Sequence, residues 1–371
     1  MDKEEPIRIL NIVPNMRAAG IESFIMNVYR NIDREKVQFD FIVHNKRREF
    51  FDDEIEKLGG KIYRLSFKDD KNIVKYIKDL NNFFKNHKEY KIVHGHMQSM
   101  MPLYLYIAKK NKIPIRIAHS HNGSYEKTVK GFILHIFSRF SKKFSSHNIA
   151  CSNLAGKYLF GKKSFIVIPN GIDVKKFEFN ENIRKIVRNE LNLSNEYVIG
   201  HVGRFELQKN HRFLIETFNE KLKENSNYVL LLVGEGKYEK EIKKLVKELN
   251  IQNKVKFLGV RNDMNRLYQA MDCFILPSLY EGLPVVGVEA QASGLKCLFS
   301  DTITKELKIT PNAVFISLKS KQKWLEEIDN DNNFENRKKF AKIVAQDFEI
   351  KNISKKLEKF YLINNTQKGE K

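Results

Sequence analysis

The sequence DCFILPSLYEGLPVVGVEAQ, residues 272–291, contains the pattern that decides the fold. Its first seven residues form an apolar run of strand length, a loop follows, and a helix is expected from about Pro284, because proline is favoured at the first position of a helix. The amino end of such a helix suits a phosphate, and Gly282 would let the backbone approach it closely. Glu281 and Glu289 are placed to accept hydrogen bonds from sugar or ribose hydroxyls. An ordinary capped helix start with one solvated acid remains an alternative.

Three neighbouring segments repeat this succession of strand, turn and helix. They are HVGRFELQKNHRFLIETF (201–218), YVLLLVGEGKYEKEIKKLVKEL (228–249) and VKFLGVRNDMNRLYQAMD (255–272). The repetition predicts a parallel sheet whose ligands gather at its carboxyl edge. The first turn carries Arg204 and Lys209, which could clamp a diphosphate, although two solvated surface charges are the alternative.

The first half of the chain has its own alternation of strands and helices, with strands expected over 7–15, 39–44, 91–96 and 115–122. The last of these ends in His119 and His121. If the extended backbone continues, both side chains point to the same side. Two histidines could belong to a metal site, but no acid or cysteine clusters near them in sequence, so we expect none.

Five ordered motifs, namely IPNGID, GRF with QKN, LVGEG, FLG and EGLPVVGVEA, resemble the retaining glycosyltransferases of family 4, including those of bacterial capsule and exopolysaccharide synthesis. The resemblance is dense over 166–300 and looser over 7–152. It implies an α/β protein with the GT-B fold, in which two Rossmann-like, doubly wound domains face each other across a cleft. An acceptor domain is then expected over 1–164, a nucleotide-sugar donor domain over 165–345, and a C-terminal helix over 346–371 that returns to the first domain.

The resemblance also implies an activity: a sugar passes from a nucleotide-diphosphate donor, expected to be a UDP-sugar, to a hydroxyl of a lipid-linked saccharide, with retention of configuration. Arg204 and Lys209 would neutralise the diphosphate, so that neither a metal nor a cofactor is needed. Glu289 would bind the ribose and Glu281 the donor sugar. His121 would orient that sugar, with His119 as the reserve candidate. Further donor-binding positions are Gly20, Gly203, Gly234, Val260, Arg261, Gly282, Leu283 and Pro284.

One position departs from the family pattern. Family members often carry two glycines in the loop after the first strand, and Ala19 stands here where the first is expected, followed by Gly20. Alanine tolerates fewer backbone conformations, which leaves the path of this loop open. The loop also lacks the glycine fingerprint of a nicotinamide-dependent oxidoreductase. A noncatalytic nucleotide-sugar or polyanion-binding partner of a membrane assembly remains the alternative function.

Composition agrees with two domains and a basic surface. The chain has 371 residues, of which 42% are hydrophobic, and a formal charge of +21. Such a charge attracts polyanions, but no segment resembles a nucleic-acid module, so we expect no nucleic-acid partner. The first residues are charged and lead directly into a strand, and no apolar run is long enough to span a membrane. We therefore expect a cytoplasmic protein that can lie at the inner face of the membrane.

A basic and aromatic segment, residues 125–147, reads YEKTVKGFILHIFSRFSKKFSSH. A helix of this kind can lie in the interface of an anionic membrane. It can equally pack on the sheet of its own domain, with its lysines reaching solvent. The second interpretation is the default, since a core also needs an aromatic face.

Overall fold

The computed structural model describes residues 5–70, 72–125, 128–328 and 334–366, with side chains described except at positions 67, 68 and 334–336. The chain forms two compact units. The first contains Met1–Gly171 and Ile350–Lys371, and the second contains Ile172–Glu349.

The first unit is a parallel sheet of seven strands with helices between them, in the order β3-β2-β1-β4-β5-β6-β7. Its elements before residue 171 are β1 (Ile7–Val13), α1 (Gly20–Asn31), β2 (Val37–Val43), α2 (Asp52–Lys57), β3 (Ile62–Arg64), α3 (Phe67–Asp70), α4 (Ile73–Asn86), β4 (Ile92–Gly95), α5 (Met101–Lys110), β5 (Ile115–Ser120), α6 (Val129–Ser138), α7 (Ser141–Phe144), β6 (His147–Ala150), α8 (Asn153–Phe160) and β7 (Ile166–Val167).

The second unit is a parallel sheet of six strands in the order β10-β9-β8-β11-β12-β13. Its elements are α9 (Val174–Phe177), α10 (Glu181–Glu190), β8 (Tyr197–Val202), α11 (His211–Glu224), β9 (Tyr228–Val233), α12 (Glu239–Glu248), β10 (Val255–Phe257), α13 (Met264–Ala270), β11 (Cys273–Leu276), α14 (Val285–Ala292), β12 (Lys296–Ser300), β13 (Ala313–Ile316), α15 (Lys321–Ile328) and α16 (Phe334–Phe348). The last helix of the chain is α17 (Ile350–Thr366).

The central strands are apolar along their whole length because helices cover both faces of a parallel sheet. All seven residues of β2 are buried, and so are all six of β9. In the first unit, β1 lies between β2 and β4, with Ile9 level with Phe39 on one side and Ile92 on the other. This register brings the carboxyl ends of neighbouring strands to one edge of each sheet.

The C-terminal helix was predicted to return to the first domain, and this is confirmed. Helix α17 packs on α1 and β2, and it buries Ile350, Ile353, Leu357 and Tyr361 in the core of the first unit. Residues 367–371 of the predicted helix lie outside the described residues.

The ends of the two units differ from the expected boundaries. The first sheet does not end with β6, because β7 follows it along the chain and pairs with it. A strand of two residues carries too little pattern to be recognised from sequence. The first unit accordingly extends to Gly171, and the second ends at Glu349, between α16 and α17.

Among the described residues, no helix combines the length and the apolar character that crossing a membrane requires.

Candidate active site

Three loops meet at the carboxyl edge of the second sheet, after β8, β9 and β10. The N–H of Gly203 donates to the carbonyl of Val233 at 2.9 Å, and the N–H of Gly234 donates to the carbonyl of Gly259 at 2.8 Å. The N–H of Phe205 donates to the carbonyl of a residue in the next loop, Glu235, at 3.0 Å. These backbone bonds hold the GRF, LVGEG and FLG motifs side by side.

Gly234 is the residue that permits this approach. Its φ is +134°, a conformation that side chains strongly disfavour, and a Cβ there would lie well inside contact distance of the Gly203 carbonyl. A Cβ on Gly203 would lie 3.0 Å from carbons of the Lys209 side chain, which crosses directly over this glycine. The predicted glycines therefore serve close packing of backbone and of Lys209.

Lys209 and Glu281, both predicted site residues, form an ion pair. Lys209 Nζ lies 2.6 Å from Glu281 Oε1, and the two side chains are only 15% and 10% exposed. Gln208 donates from Nε2 to Glu281 Oε2 at 3.1 Å and to the carbonyl of Tyr280 at 2.8 Å. Gln208 was missed as a site residue, although it belongs to the QKN motif quoted above.

The loop that carries Lys209 is also tied to the end of β11. The N–H of Leu279 donates to the carbonyl of Gln208 at 2.8 Å. Asn210 adopts a left-handed conformation with φ 57° and donates from Nδ2 to the carbonyl of Pro277 at 3.2 Å. Asparagine is one of the few residues that adopts this conformation readily. The cluster of Gln208, Lys209 and Glu281 is thus fixed from both sides.

The other predicted cations take no part in this ion pair. The side chain of Arg204 is exposed and makes no hydrogen bond or ion pair with any residue in the described ranges. Arg261 is bound through two nitrogens to Asp263 at 2.8 and 2.7 Å, and this pair raises the pKa of Arg261. Val260, beside it, is exposed. The guanidinium of Arg261 is therefore already paired with a carboxylate of its own loop.

Helix α14 begins one residue later than predicted. Pro284 is extended, with φ −72° and ψ 117°, and precedes the first helical residue, Val285. Gly282, Leu283 and Pro284 are buried, so the turn before the helix is firmly held. The amino end of α14 thus begins four residues after Glu281, close to where the sequence predicts it.

Glu289 is the fifth residue of α14, little more than one turn from its start. The hydroxyl of Tyr268 lies 3.0 Å from Glu289 Oε2. Burial raises the pKa of Glu289 to about 7, and the hydrogen bond from Tyr268 opposes that rise. Tyr268 was missed because it belongs to α13, and no spacing along the chain relates it to Glu289.

At the corresponding edge of the first sheet, four buried histidines form one cluster. His94 and His96 come from the end of β4, and His119 and His121 from the end of β5. The rings of His119 and His121 stack with centroids 4.0 Å apart, so both point to the same side, as expected. Burial lowers the pKa of all four, to about 3 for His94 and His121. The four rings are therefore neutral at ordinary pH.

Each ring of the cluster is hydrogen-bonded. His94 joins the Tyr361 hydroxyl at 2.7 Å and His119 Nδ1 at 3.1 Å. His96 joins His121 Nε2 at 2.9 Å and Asn11 Oδ1 at 3.2 Å. His94 and His96 were missed as site residues. A signal for them exists in the sequence, because the spacing in HGH (94–96) is the same as that in HSH (119–121).

The topology also makes this cluster a possible metal ligand set. Ring nitrogens of His94, His96 and His119 lie within 4.8 Å of one another, and three histidines are a known zinc ligand set. No acid or cysteine clusters near these histidines along the chain, but the ring nitrogens come together from the ends of two strands, β4 and β5. Five of the six ring nitrogens of these three residues already take part in hydrogen bonds, either with another ring or with Tyr361 and Asn11.

The departure at Ala19 does not distort the first loop. Ala19 is extended, with φ −138° and ψ 167°, which any residue can adopt, and it immediately precedes α1. A Cβ added to Gly20 would meet nothing within 4 Å. The loop therefore takes an ordinary path with alanine at position 19.

The basic and aromatic segment forms α6 and α7, which pack on α5 of their own unit as the default interpretation predicts, but the apolar face of α6 is largely uncovered. One side of α6 lies against α5, but seven apolar side chains face solvent because the helix is apolar on more sides than its neighbours can cover. We call these the apolar surface: Val129, Phe132, Ile133, Leu134, Ile136, Phe137 and Phe140. Lys127, part of the predicted helix, lies outside the described residues.

Comparisons with known proteins agree with this arrangement. The profile of Glycosyltransferase Family 4 matches residues 18–176, and that of Glycosyl transferases group 1 matches residues 182–330. The putative glycosyltransferase EpsF of Bacillus subtilis (strain 168) is 33% identical over 312 residues, which cover 81% of this chain and 80% of the relative.

Two further proteins are similar. An Escherichia coli protein named UDP-Gal:alpha-D-GlcNAc-diphosphoundecaprenol alpha-1,3-galactosyltransferase is 29% identical over 245 residues, covering 62% of this chain and 63% of its own length. The crystal structure of Anabaena HepE in complex with UDP and glucose superposes with a TM-score of 0.81 at 18% identity, over 96% of this chain and 99% of that one. The chain therefore belongs to the family 4 glycosyltransferases and has the GT-B fold.

Proposed function

We propose that this glycosyltransferase moves a sugar from a UDP-sugar to a hydroxyl of a lipid-linked saccharide, with retention of configuration, during assembly of a surface polysaccharide. The observation that carries the proposal is the cluster of Gln208, Lys209 and Glu281 beside the start of α14. It places one cation, one carboxylate and a helix amino end at the carboxyl edge of a parallel sheet, where ligands of such sheets bind.

The second unit binds the donor. Lys209 and the exposed Arg204 neutralise the diphosphate, and the amino end of α14 adds its dipole. Glu289 accepts hydrogen bonds from ribose hydroxyls, and Glu281 from the sugar. The loops at Gly203, Gly234 and Val260 line the nucleotide, and the backbone at Arg261, whose side chain is engaged with Asp263, lies beside the base.

The reaction then follows from stabilisation of the leaving group. The bond between the anomeric carbon and the diphosphate oxygen breaks as the acceptor hydroxyl forms its bond from the same face. The acceptor proton passes to the departing diphosphate oxygen, so no protein base is required. Lys209 and Arg204 stabilise the charge that develops on the diphosphate, the part that a metal ion plays in other enzymes. His121 of the first unit holds a hydroxyl of the bound saccharide.

Relatives support the chemical class of both substrates. The name of the Escherichia coli relative specifies a UDP-sugar and a diphosphoundecaprenol-linked acceptor, and the HepE crystal holds UDP and glucose. We therefore propose UDP as the donor nucleotide and a polyprenyl diphosphate saccharide as the acceptor.

The apolar surface would bring the first unit to the membrane that holds such an acceptor. Val129 is 78% exposed and Ile133 59%. Lys130, Arg139 and Lys143 are also exposed on this segment, and the sequence has no Asp or Glu between residues 128 and 146. Apolar burial and attraction to anionic headgroups then act together, with about 1 kcal/mol from each basic residue near the surface.

A second copy of the chain is a poorer partner for this surface. A symmetric dimer would place the same basic residues against each other, because a two-fold interface repeats one patch on both sides. An anionic bilayer offers the opposite charge. We therefore assign the inner, anionic face of the cell membrane as the occupant.

Vesicle sedimentation tests the membrane contact. We expect binding to vesicles that contain phosphatidylglycerol and little binding to pure phosphatidylcholine. Lys130→Glu with Lys143→Glu should weaken binding by about 30-fold or more, since two lysines near the surface contribute about 2 kcal/mol together. Ile133→Ser with Ile136→Ser should weaken binding by about the same factor or more, because two apolar side chains no longer enter the bilayer. Val74→Ser with Ile77→Ser, two exposed apolar residues of α4, is the matched control and should bind normally. Unchanged binding in both test variants, or a dimer in sedimentation equilibrium that these variants dissolve, would contradict the assignment.

A transfer assay tests the activity itself. Purified protein is incubated without metal with UDP-, GDP- and ADP-sugars, with and without a polyprenyl diphosphate saccharide, and release of nucleoside diphosphate is followed. We expect release from a UDP-sugar that requires Lys209 and Glu281 but tolerates Glu206→Ala in the same loop. Donor binding by calorimetry without release under any condition would favour the noncatalytic binding protein instead.

A further inference from the structure

We infer that Asn11 and His96 are positioning residues that fix the tautomer of His121, so that its bare Nδ1 can only accept a hydrogen bond from a ligand that reaches it. The inference rests on the proposed function only for the identity of that ligand as a saccharide. The placement of the protons follows from contacts within the first unit alone.

Asn11 begins the relay, in the middle of β1. Its amide Nδ2 points at the carbonyls of Ile9 and Asp40, at 3.4 and 3.5 Å. Both carbonyls can only accept, so the nitrogen of the amide must face them and the oxygen must face away. That oxygen lies 3.2 Å from His96 Nε2. Asn11 is buried, so no solvent competes for these contacts.

The hydrogen bond from His96 to Asn11 fixes the tautomer of His96, and through it that of His121. Because Asn11 Oδ1 can only accept, His96 Nε2 carries the hydrogen that it donates. A neutral imidazole has one protonated nitrogen, and burial keeps His96 neutral by lowering its pKa well below the usual value. His96 Nδ1 is therefore bare and accepts, and the atom that donates to it is His121 Nε2 at 2.9 Å.

His121 ends the relay with an acceptor. Its Nε2 holds the hydrogen, so its Nδ1 has a free lone pair, and this buried atom has no hydrogen-bond partner within the described ranges. The ring is held by stacking on His119 at 4.0 Å and lies near Phe24 at 6.2 Å. A bare nitrogen selects an O–H or N–H donor and repels carboxylate and phosphate oxygens. A sugar hydroxyl fits this requirement.

The neighbouring pair of histidines carries no such assignment. His94 lies between the Tyr361 hydroxyl and His119 Nδ1, and a hydroxyl can donate or accept. Either direction of hydrogen bonding is possible there. The pair of His96 and His121 differs because Asn11 fixes which nitrogen donates. The amide nitrogen of Asn11 faces two carbonyls, so its oxygen must accept the hydrogen bond from His96.

Nitrogen NMR of the protein labelled at histidine tests the tautomer without any substrate. The long-range nitrogen–proton pattern of His121, assigned by its loss in His121→Ala, should show a protonated Nε2 and a bare Nδ1. Asn11→Leu should convert this to a mixture of tautomers. Asn148→Leu, which removes another buried asparagine of the same unit with both ends of its amide bonded, should leave it unchanged. A protonated Nδ1 in the wild type, or a pattern unaffected by Asn11→Leu, would overturn the inference.

A second pair of variants keeps the test valid if Asn11→Leu does not fold. His96→Gln can present its side-chain oxygen to His121 Nε2 and should preserve the tautomer, whereas His96→Leu should not. If the enzyme is active, His96→Leu should lower kcat about tenfold with unchanged affinity for UDP, and His96→Gln should recover most of it. A protein with no transfer activity but the expected NMR pattern would contradict the proposed function and leave the relay standing. Equal tautomer mixtures in both His96 variants would contradict the relay.

Discussion

Replacing Glu281 by glutamine should strengthen UDP binding while abolishing sugar transfer. Lys209 Nζ lies 2.6 Å from Glu281 Oε1, so the lysine proposed to bind the diphosphate is bound to a protein carboxylate in this structure. Before it can bind a phosphate oxygen, Lys209 must give up or share that contact. Glutamine keeps the shape of the side chain and can still accept the hydrogen bond from Gln208, but it does not compete for the charge of Lys209.

The magnitude follows from the environment of the pair. Side chains that are 15% and 10% exposed lie between a solvated surface pair and a fully buried one. A charge-assisted hydrogen bond in that setting contributes about 1–2 kcal/mol. If that amount no longer opposes diphosphate binding, UDP affinity rises by a factor of about 5–30. Transfer is lost because glutamine cannot supply the negative charge next to the reacting sugar.

Calorimetric titration with UDP, beside the transfer assay, measures both effects. Glu206→Gln is the matched control, since it removes one negative charge from the same loop without touching an ion pair of Lys209. In a double-mutant cycle, Lys209→Met should eliminate the gain seen with Glu281→Gln. Weaker UDP binding in Glu281→Gln, or an equal gain in Glu206→Gln, would refute the argument that Glu281 holds Lys209 back from the phosphate.

Four further outcomes are expected. Burial raises the pKa of Glu289 from 4.5 to about 7. The contribution of Glu289 to the stability of the fold is therefore fully present below pH 4.5 and is lost as pH rises through 7. UDP affinity should rise over the same pH range, because the carboxylate ionises there. Tyr268→Phe removes the hydrogen bond that lowers this pKa, so a pH titration of UDP affinity should show a higher midpoint. In denaturant unfolding, Gly234→Ala should lower the free energy of unfolding by about 3 kcal/mol or more, since the methyl group meets the Gly203 carbonyl. Gly259 also has a positive φ, but a Cβ there would meet nothing within 4 Å, so Gly259→Ala should lower that free energy by about 1 kcal/mol. Transfer activity should survive chelation by EDTA, since cationic side chains neutralise the diphosphate; activity that is lost on chelation and restored by a divalent ion would contradict this.

The second unit could be predicted closely because its functional positions follow directly from strand ends. Gly203 and Gly234 each stand one residue after a strand, and Glu281 stands just before a helix. In a parallel sheet those positions meet at one edge whatever the details of packing. The order of the motifs along the chain therefore predicts their proximity, and the ion pair of Lys209 with Glu281 is a consequence of it.

Elements at the margins of the pattern were harder to predict. Strand β7 has two residues, both exposed, so neither its length nor its burial distinguishes it from a linker. The exposure of the apolar face of α6 was misjudged for a related reason. The sequence shows that the helix is apolar on several sides, but not how many of those sides its neighbours cover. Only the packing of α5 against one side shows how many aromatic residues are left facing solvent.

Contacts between side chains within the body of different helices and strands could not be predicted, because no motif marks them. The distance from Tyr268 to Glu289 and the relay from Asn11 to His121 each join residues whose separation along the chain carries no information about contact. For the histidines the consequence is chemical as well as geometric. The sequence shows that His121 ends a strand, but whether its free nitrogen donates or accepts is decided by an asparagine more than a hundred residues earlier, through a third side chain from another strand. Whether His121 donates or accepts a hydrogen bond is therefore a property of the folded sheet, and a family motif that aligns His121 alone does not specify it.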